Sequence, residues 1–212
     1  MKSPAFIFGK CSLMIVLLTA AFLTACSDKV DESDIYTFKG ETITSYLEKS
    51  ENFTDFAYIL SRVKLSKRSE STIAQLLSAR GNYTVFAPTN DAVQHYLDSV
   101  YQTTDYDITQ IPDSVADYIA RNAIIDCEDL NAYQTTDFNV GTLERTNMDD
   151  RYITVDFDTI NGGNLATIIN NSARIVLPDI EVYNGYIHGV NQVLSLSRAT
   201  VPALIESADN LR

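Results

Sequence analysis

The apolar residues of this chain change their spacing once along its length, and that single change limits the folds open to it. Phe53, Phe56, Ala57, Leu60 and Val63 recur at intervals of three and four, the spacing of one helical face. From Cys127 onward the period falls toward two, the alternation of a strand with one buried side. Helices first and strands afterwards, joined by short turns, specify an α+β domain with an antiparallel sheet.

Local signals place the elements. Thr42 is set to cap a short helix carrying Ile43, Tyr46 and Leu47, and Ser71 to cap another with Ile73, Leu76 and Leu77 inward and Gly81 as its left-handed stop. Thr84-Val85-Phe86 is a β-branched and aromatic run suited to a buried strand; Pro88 stops it, and Thr89, Asn90 and Asp91 are good helix-cap residues. Two more helices follow. One carries a stripe of Val93, Tyr96, Leu97 and Val100; the other opens at Pro112-Asp113-Ser114 with Val115, Tyr118, Ile119 and Asn122 on one side. Strands are predicted over 140–143, 152–157, 173–177, 181–183 and 186–194, with turns at Gly162-Gly163, Asn170-Asn171 and Asn184-Gly185.

The 212 residues hold 16 Lys and Arg against 28 Asp and Glu, a net charge of −12. A phosphate backbone needs a basic face, so nucleic acid is not an expected partner, and adsorption to anionic lipid through a polybasic surface is disfavoured. Lys64, Lys67, Arg68 and Arg80 gather around the ends of the second and third helices, where carbonyls favour cations. Asp126-Cys127-Glu128-Asp129 lacks the spaced oxygens and glycine of a calcium loop. No phosphate loop, dinucleotide fingerprint or nucleophile elbow is found in the sequence, so no cofactor, metal or catalytic residue is assigned.

The chain begins with Lys2 and Lys10 around the start of an apolar run at 13–23, too short to span a ~30 Å hydrocarbon core and typical of a secretory signal. The run closes with Leu23-Thr24-Ala25-Cys26, which resembles the bacterial lipoprotein box. That resemblance implies cleavage after residue 25 and lipid attachment at Cys26, hence a membrane partner through the anchor. Residues 26–34 form an acidic tether similar to those of surface lipoproteins in the Bacteroides group, and Ser27 instead of Asp after the cysteine implies the outer membrane. Cys11 leaves with the signal, so Cys127 has no disulfide partner and is expected to be a partly buried structural thiol.

Two segments resemble the signature boxes of fasciclin-like domains. The first is Thr84-Val85-Phe86-Ala87-Pro88-Thr89-Asn90-Asp91-Ala92-Val93. The second is Asn184-Gly185-Tyr186-Ile187-His188-Gly189-Val190-Asn191-Gln192-Val193-Leu194. The resemblance spans 35–194, followed by a tail at 195–212. It implies a wedge of two small, mainly antiparallel β-sheets with helices packed around it, and non-enzymatic adhesion or binding of extracellular protein or matrix. An alternative is a glycan-binding accessory subunit of an outer-membrane polysaccharide uptake system, motivated by the tether and by 12 tyrosines without a tryptophan. Arg121-Asn122-Ala123 stands where many members carry a Tyr-His or Asn-His pair, so an animal-type receptor site is not carried over.

The box residues also have structural readings. Asn184-Gly185 suits the positive-φ corner of a tight turn. His188, inside an apolar strand, is expected to be neutral and hydrogen-bonded to the backbone or to a side chain such as Thr84, Thr89 or Asn90. His95 lies on the polar side of its helix. Tyr83, Tyr96, Tyr101, Tyr106, Tyr183 and Tyr186 divide between core or rim positions and exposed rings able to stack on sugars.

Overall fold

The computed structural model describes residues 40–160 and 164–195. The signal sequence, Cys26 and the tether, the Gly162-Gly163 turn and residues 196–212 lie outside the described residues.

Helix α1 (Ile43–Lys49) opens at Thr42, whose Oγ1 accepts from the Ser45 amide. Helix α2 (Thr54–Arg62) buries Phe56, Ile59 and Leu60. Helix α3 (Ile73–Ser78) begins one residue later than the sequence suggested. Thr72, not Ser71, is its cap, because Gln75 completes a reciprocal capping box with it. Nor does Gly81 end it in a left-handed turn: Ala79 closes the helix, and Gly81 is instead pressed against the Tyr83 ring, where a Cβ would collide with Tyr83 Cε2. Strand β1 (Tyr83–Pro88) is buried at every position.

Helix α4 (Asn90–Tyr101) is capped by Thr89 and ends at Gln102 in the left-handed region, φ 51°. Its buried stripe is Ala92, Val93 and Leu97; Val100, expected inward, is 47% exposed because the last turn runs past the core. Helix α5 (Asp113–Asn122) buries Ala116, Ile119, Ala120 and Asn122, with Val115 and Tyr118 at its margin. Helix α2 is the hub of this layer, packing against α1, α3, α4 and α5.

Five of the six remaining strands follow the change in period: β3 (Gly141–Thr146), β4 (Tyr152–Ile160), β5 (Asn164–Ile169), β6 (Ala173–Val182) and β7 (Gly185–Val190); β2 (Ile124–Asp126) precedes it. Two of these, β2 and β5, were not anticipated. The predicted segments 173–177 and 181–183 are one strand, β6, interrupted by two register shifts between Ile175 and Ile180. Asn170 and Asn171, both at positive φ (50° and 62°), turn β5 into β6 as their pairing suggested.

The expected pair of small sheets is corrected to a single seven-stranded sheet in the order β2-β1-β7-β6-β5-β4-β3. The reason lies in β6, which is ten residues long and serves two neighbours. Its first residues pair with β5, and the remainder, re-aimed by the bulges, pairs with β7. The two ends of the sheet then approach each other. The Met148 amide, in the β3–β4 turn, donates to the Ile124 carbonyl of β2 at 2.9 Å, and Asn147 Nδ2 reaches Asn122 Oδ1 at 3.2 Å. The sheet is nearly closed.

Candidate functional site

The two sequence boxes lie side by side at the centre of this sheet. Strands β1 and β7 pair in parallel, with Tyr83 opposite Gly185, Val85 opposite Ile187, Phe86 opposite His188 and Pro88 opposite Val190. A parallel neighbour needs a long crossover, which the helices and strands between the boxes supply.

Most box residues have internal partners. Thr84 Oγ1 accepts from the Tyr133 amide at 2.8 Å and lies 3.6 Å from Cys127 Sγ. Val85, Phe86 and Ala87 are fully buried, as is Ile187. Pro88 ends the strand. The Thr89 amide donates to the Val190 carbonyl, while its Oγ1 caps α4 through the Ala92 amide. Asn90 works at a distance: its Oδ1 accepts from the Asp55 amide at 3.1 Å, and its Nδ2 donates to the Glu51 carbonyl and Thr54 Oγ1. Helix α2 has no side-chain cap of its own at Phe53, so the asparagine supplies one from across the fold.

The second box is tied in the same way. Asn184 Oδ1 accepts from the Ile43 amide at 2.9 Å, and its Nδ2 donates to the Leu77 and Ala79 carbonyls at 2.7 and 2.9 Å. One amide thus joins the start of α1 to the end of α3. Gly185 sits at φ 143°. The corner belongs to Gly185 alone; Asn184 does not share the positive φ.

His188 is fully buried, stacked on Phe86 at 5.5 Å and meeting the Phe138 ring at 54°, 5.4 Å between centroids. Its partners differ from the side chains that the sequence suggested. Nδ1 accepts from the Asp179 amide at 3.2 Å, so the neutral ring carries its hydrogen on Nε2, which donates to the Tyr133 carbonyl at 2.9 Å. Asp179 occupies the left-handed region (φ 54°) at a bulge of β6, and its carboxylate accepts from the Thr135 amide at 2.7 Å and from the Thr135 hydroxyl. The histidine therefore ties the β6 bulge to Tyr133, and the Asp179 carboxylate ties it to the 3₁₀ turn at Thr135–Asp137.

Burial pushes the His188 pKa down from its ordinary value, opposed by the bond to the Tyr133 carbonyl and by the Asp179 carboxylate 3.9 Å away. The unfolded chain then takes up this proton first as pH falls below about 6.5, so the contribution is complete above that pH and is lost progressively beneath it. The urea midpoint should drop between pH 7 and pH 5, with a shallower drop in His188→Gln. An equal pH slope in the two proteins would show that another group is responsible.

Cys127 is fully buried and free, with burial pushing its thiol pKa up, so it is a poor nucleophile. His95 is exposed on α4. Glu128 and Asp129 face Arg145, which bonds both at 2.9 and 2.7 Å. Among the described residues no three His, Cys, Asp or Glu side chains gather as a metal site, and no buried side-chain nitrogen or oxygen lacks a hydrogen-bond partner.

The profile of the fasciclin domain matches residues 51–196, about two thirds of the sequence. The chain belongs to the fasciclin-domain family. Among solved structures it is similar to the FAS1 domain pair from the insect cell adhesion molecule Fasciclin I, at a TM-score of 0.52 and 19% identity. The alignment covers 73% of this chain and 50% of that one, so this chain spans about half the length of that structure, and the likeness shows the fold. Among curated proteins nothing matches. Fasciclin domains are in general adhesion modules, not enzymes.

The strand residues of the boxes of this fasciclin domain point mostly inward, and a more exposed apolar surface lies farther along the sheet. Strands β5 and β6 pair only at Ile168–Arg174 and Ile169–Ala173 and then part. The opening is a cleft of about 540 Å³ whose walls include Leu165, Val176 and Pro178, with Thr135 and Arg174 beside them. Leu165 is 73% exposed, and Val176 and Leu177 are each 38% exposed. Sequence reasoning missed this feature because β5 itself was missed. Of the tyrosines, Tyr83 is buried, Tyr96, Tyr106 and Tyr186 are half-buried, and Tyr101 and Tyr183 are exposed; Tyr101 and Tyr106 stack with ring centroids 4.4 Å apart.

Proposed function

We propose that the protein is an adhesion-type lipoprotein, tethered to the outer membrane through Cys26 and presenting its fasciclin domain to extracellular proteins. The observation that carries the binding role is the parted β5–β6 pair. Beyond Arg174, the facing edges of β5 and β6 hold backbone amides and carbonyls that do not pair with each other, next to exposed Leu165 and Val176. An extended segment of a partner protein fits such edges by strand addition, with its backbone supplying the ladder and its aliphatic side chains covering the apolar wall. Pro178 and the bulged Asp179 stop the β6 edge after a few residues, which limits self-pairing. The anchor reading rests on Leu23-Thr24-Ala25-Cys26. Two or more acyl chains make such attachment stable. Among the described residues, no helix is long and apolar enough to cross a membrane.

Two measurements test this. Beads carrying the full-length chain should adhere to surfaces coated with fibronectin, laminin or collagen. The double variant Leu165→Asp, Val176→Asp should lose at least about tenfold of that adhesion with its circular dichroism unchanged. Equal adhesion by the variant, or none by the parent above a folded acidic control, defeats the reading. For the anchor, Cys26→Ser should move the protein from the membrane fraction to the supernatant, and continued membrane retention would contradict lipid attachment.

A further inference from the structure

Residues 62–68, Arg-Val-Lys-Leu-Ser-Lys-Arg, contain four of the 16 Lys and Arg of the chain and no acid, in a protein whose net charge is −12. The fold makes this stretch the wall of a cleft. The Leu65 amide donates to the Ser71 carbonyl at 2.9 Å and the Ile73 amide to the Val63 carbonyl at 2.8 Å, so the segment after α2 doubles back as a hairpin. The Ser69 amide donates to the Ser66 carbonyl at 3.1 Å, which makes Lys67 and Arg68 the middle of a tight turn. Both are exposed, and neither forms an ion pair among the described residues. Lys64 is paired with Glu70 across the hairpin at 3.0 Å, which leaves Lys67 and Arg68 as its free cations among the described residues.

Helix α5 provides the opposite wall and holds the hairpin in place. Arg121 Nη2 donates to the Lys64 and Leu65 carbonyls at 2.8 and 3.1 Å, and its Nε to Asp117 at 2.7 Å. Those bonds leave Nη1 without a partner among the described residues. Arg62 is fixed likewise, donating from Nη1 to the Ile111 carbonyl at 3.0 Å and from Nη2 to Asp113 at 2.6 Å. The guanidiniums are thus held in position before any ligand arrives, which removes most of the ordering cost of binding. Between the walls is a cleft of about 540 Å³ that also takes in Lys67 and the hydroxyl-bearing Ser66 and Ser114.

We propose that this cleft binds an acidic sugar, a uronate or sulfated residue within a polysaccharide. Its volume lies in the range of small-ligand sites and admits one or two sugar rings. Arg121, Arg62 and Lys67 receive the carboxylate or sulfate. The lining acids select against a ligand that is only anionic. Asp113 and Asp117 have side chains 89% and 47% exposed, so their oxygens remain open to hydroxyl donors. A sugar ring offers several such hydroxyls beside its charge; inorganic sulfate and a DNA backbone offer none. This site is separate from the β5–β6 cleft, and neither proposal depends on the other.

Isothermal titration of the purified full-length chain separates the outcomes. Hyaluronan and chondroitin 4-sulfate tetrasaccharides should bind at low salt, and neutral cellotetraose should not. Affinity for the acidic sugars should fall severalfold between 50 and 300 mM NaCl, as expected for exposed charge pairs. Lys67→Glu, at an exposed side chain with no bond to lose, should weaken binding about tenfold or more, whereas Lys49→Glu on α1 should leave it unchanged. The proposal is overturned if neither acidic tetrasaccharide binds, if cellotetraose or inorganic sulfate binds as tightly, or if Lys67→Glu has no effect.

Discussion

Gly185→Val is expected to destroy most of the stability of the domain, lowering the unfolding free energy by about 3 kcal/mol or more in urea titration. Two causes act together. At φ 143° the backbone lies where L side chains rarely go, and a Cβ built there would overlap the Tyr83 carbonyl oxygen and approach the Tyr83 nitrogen to 2.8 Å. Tyr83 is the register partner of Gly185, so relieving the overlap means opening the first rung of the parallel ladder. Gly185→Ala meets the same obstacle with a smaller group. Should the alanine variant unfold within about 0.5 kcal/mol of the parent, the close approach of β1 and β7 described above is incorrect.

Asn184→Ala should cost nearly as much, about 3–5 kcal/mol, through hydrogen bonding alone. The side chain is 1% exposed and satisfies the Ile43 amide and the Leu77 and Ala79 carbonyls. Alanine would leave three groups with their partner removed, two of the bonds being fully buried. Asn184→Asp should be no better, because a carboxylate cannot donate to the two carbonyls and brings an unpaired charge into the interior. Thermal unfolding followed by circular dichroism gives the comparison. A loss below about 1 kcal/mol would mean that these backbone groups reach solvent in the variant.

Much of the helical half could be read in advance, because amphipathic spacing and caps are local signals. Thr42, Thr89 and the faces of α1 and α2 illustrate this. The misplaced start of α3 shows the limit of such signals. Ser71 and Thr72 are both good caps, and only the reach of Gln75 decides between them. The β half was less legible. Strand β2 has three residues, too few to show a period, and β5 carries Leu165-Ala166-Thr167-Ile168-Ile169 with an exposed leucine where alternation would bury it. In β6, Pro178 and the left-handed Asp179 imitate a turn between two strands. Whether β1 and β7 run parallel is a matter of topology, on which a single strand is silent.

The same uneven legibility applies to function. The boxes were visible because their strand residues hold β1 and β7 together, and for that reason most of them face inward. His188 could be recognised as structural, but its partners Tyr133 and Asp179 come from segments that carried no signal. The basic hairpin and α5 are remote in sequence, so their cleft could not be read from one stretch of chain. Strands β5 and β6 are consecutive, and their cleft was missed because β5 itself was.

The bond from Asn184 to the Leu77 carbonyl closes a loop of 107 positions, and the ladder beside it is of similar span. Strand β7 is also the last regular element among the described residues. A nascent chain emerging from the ribosome therefore lacks its central strand until synthesis is nearly finished, and without it β1 and the long part of β6 have no common neighbour. Contacts so remote in sequence form slowly. A polypeptide whose core cannot close early keeps its apolar faces open throughout synthesis, and acquires its shape only when the chain is nearly complete.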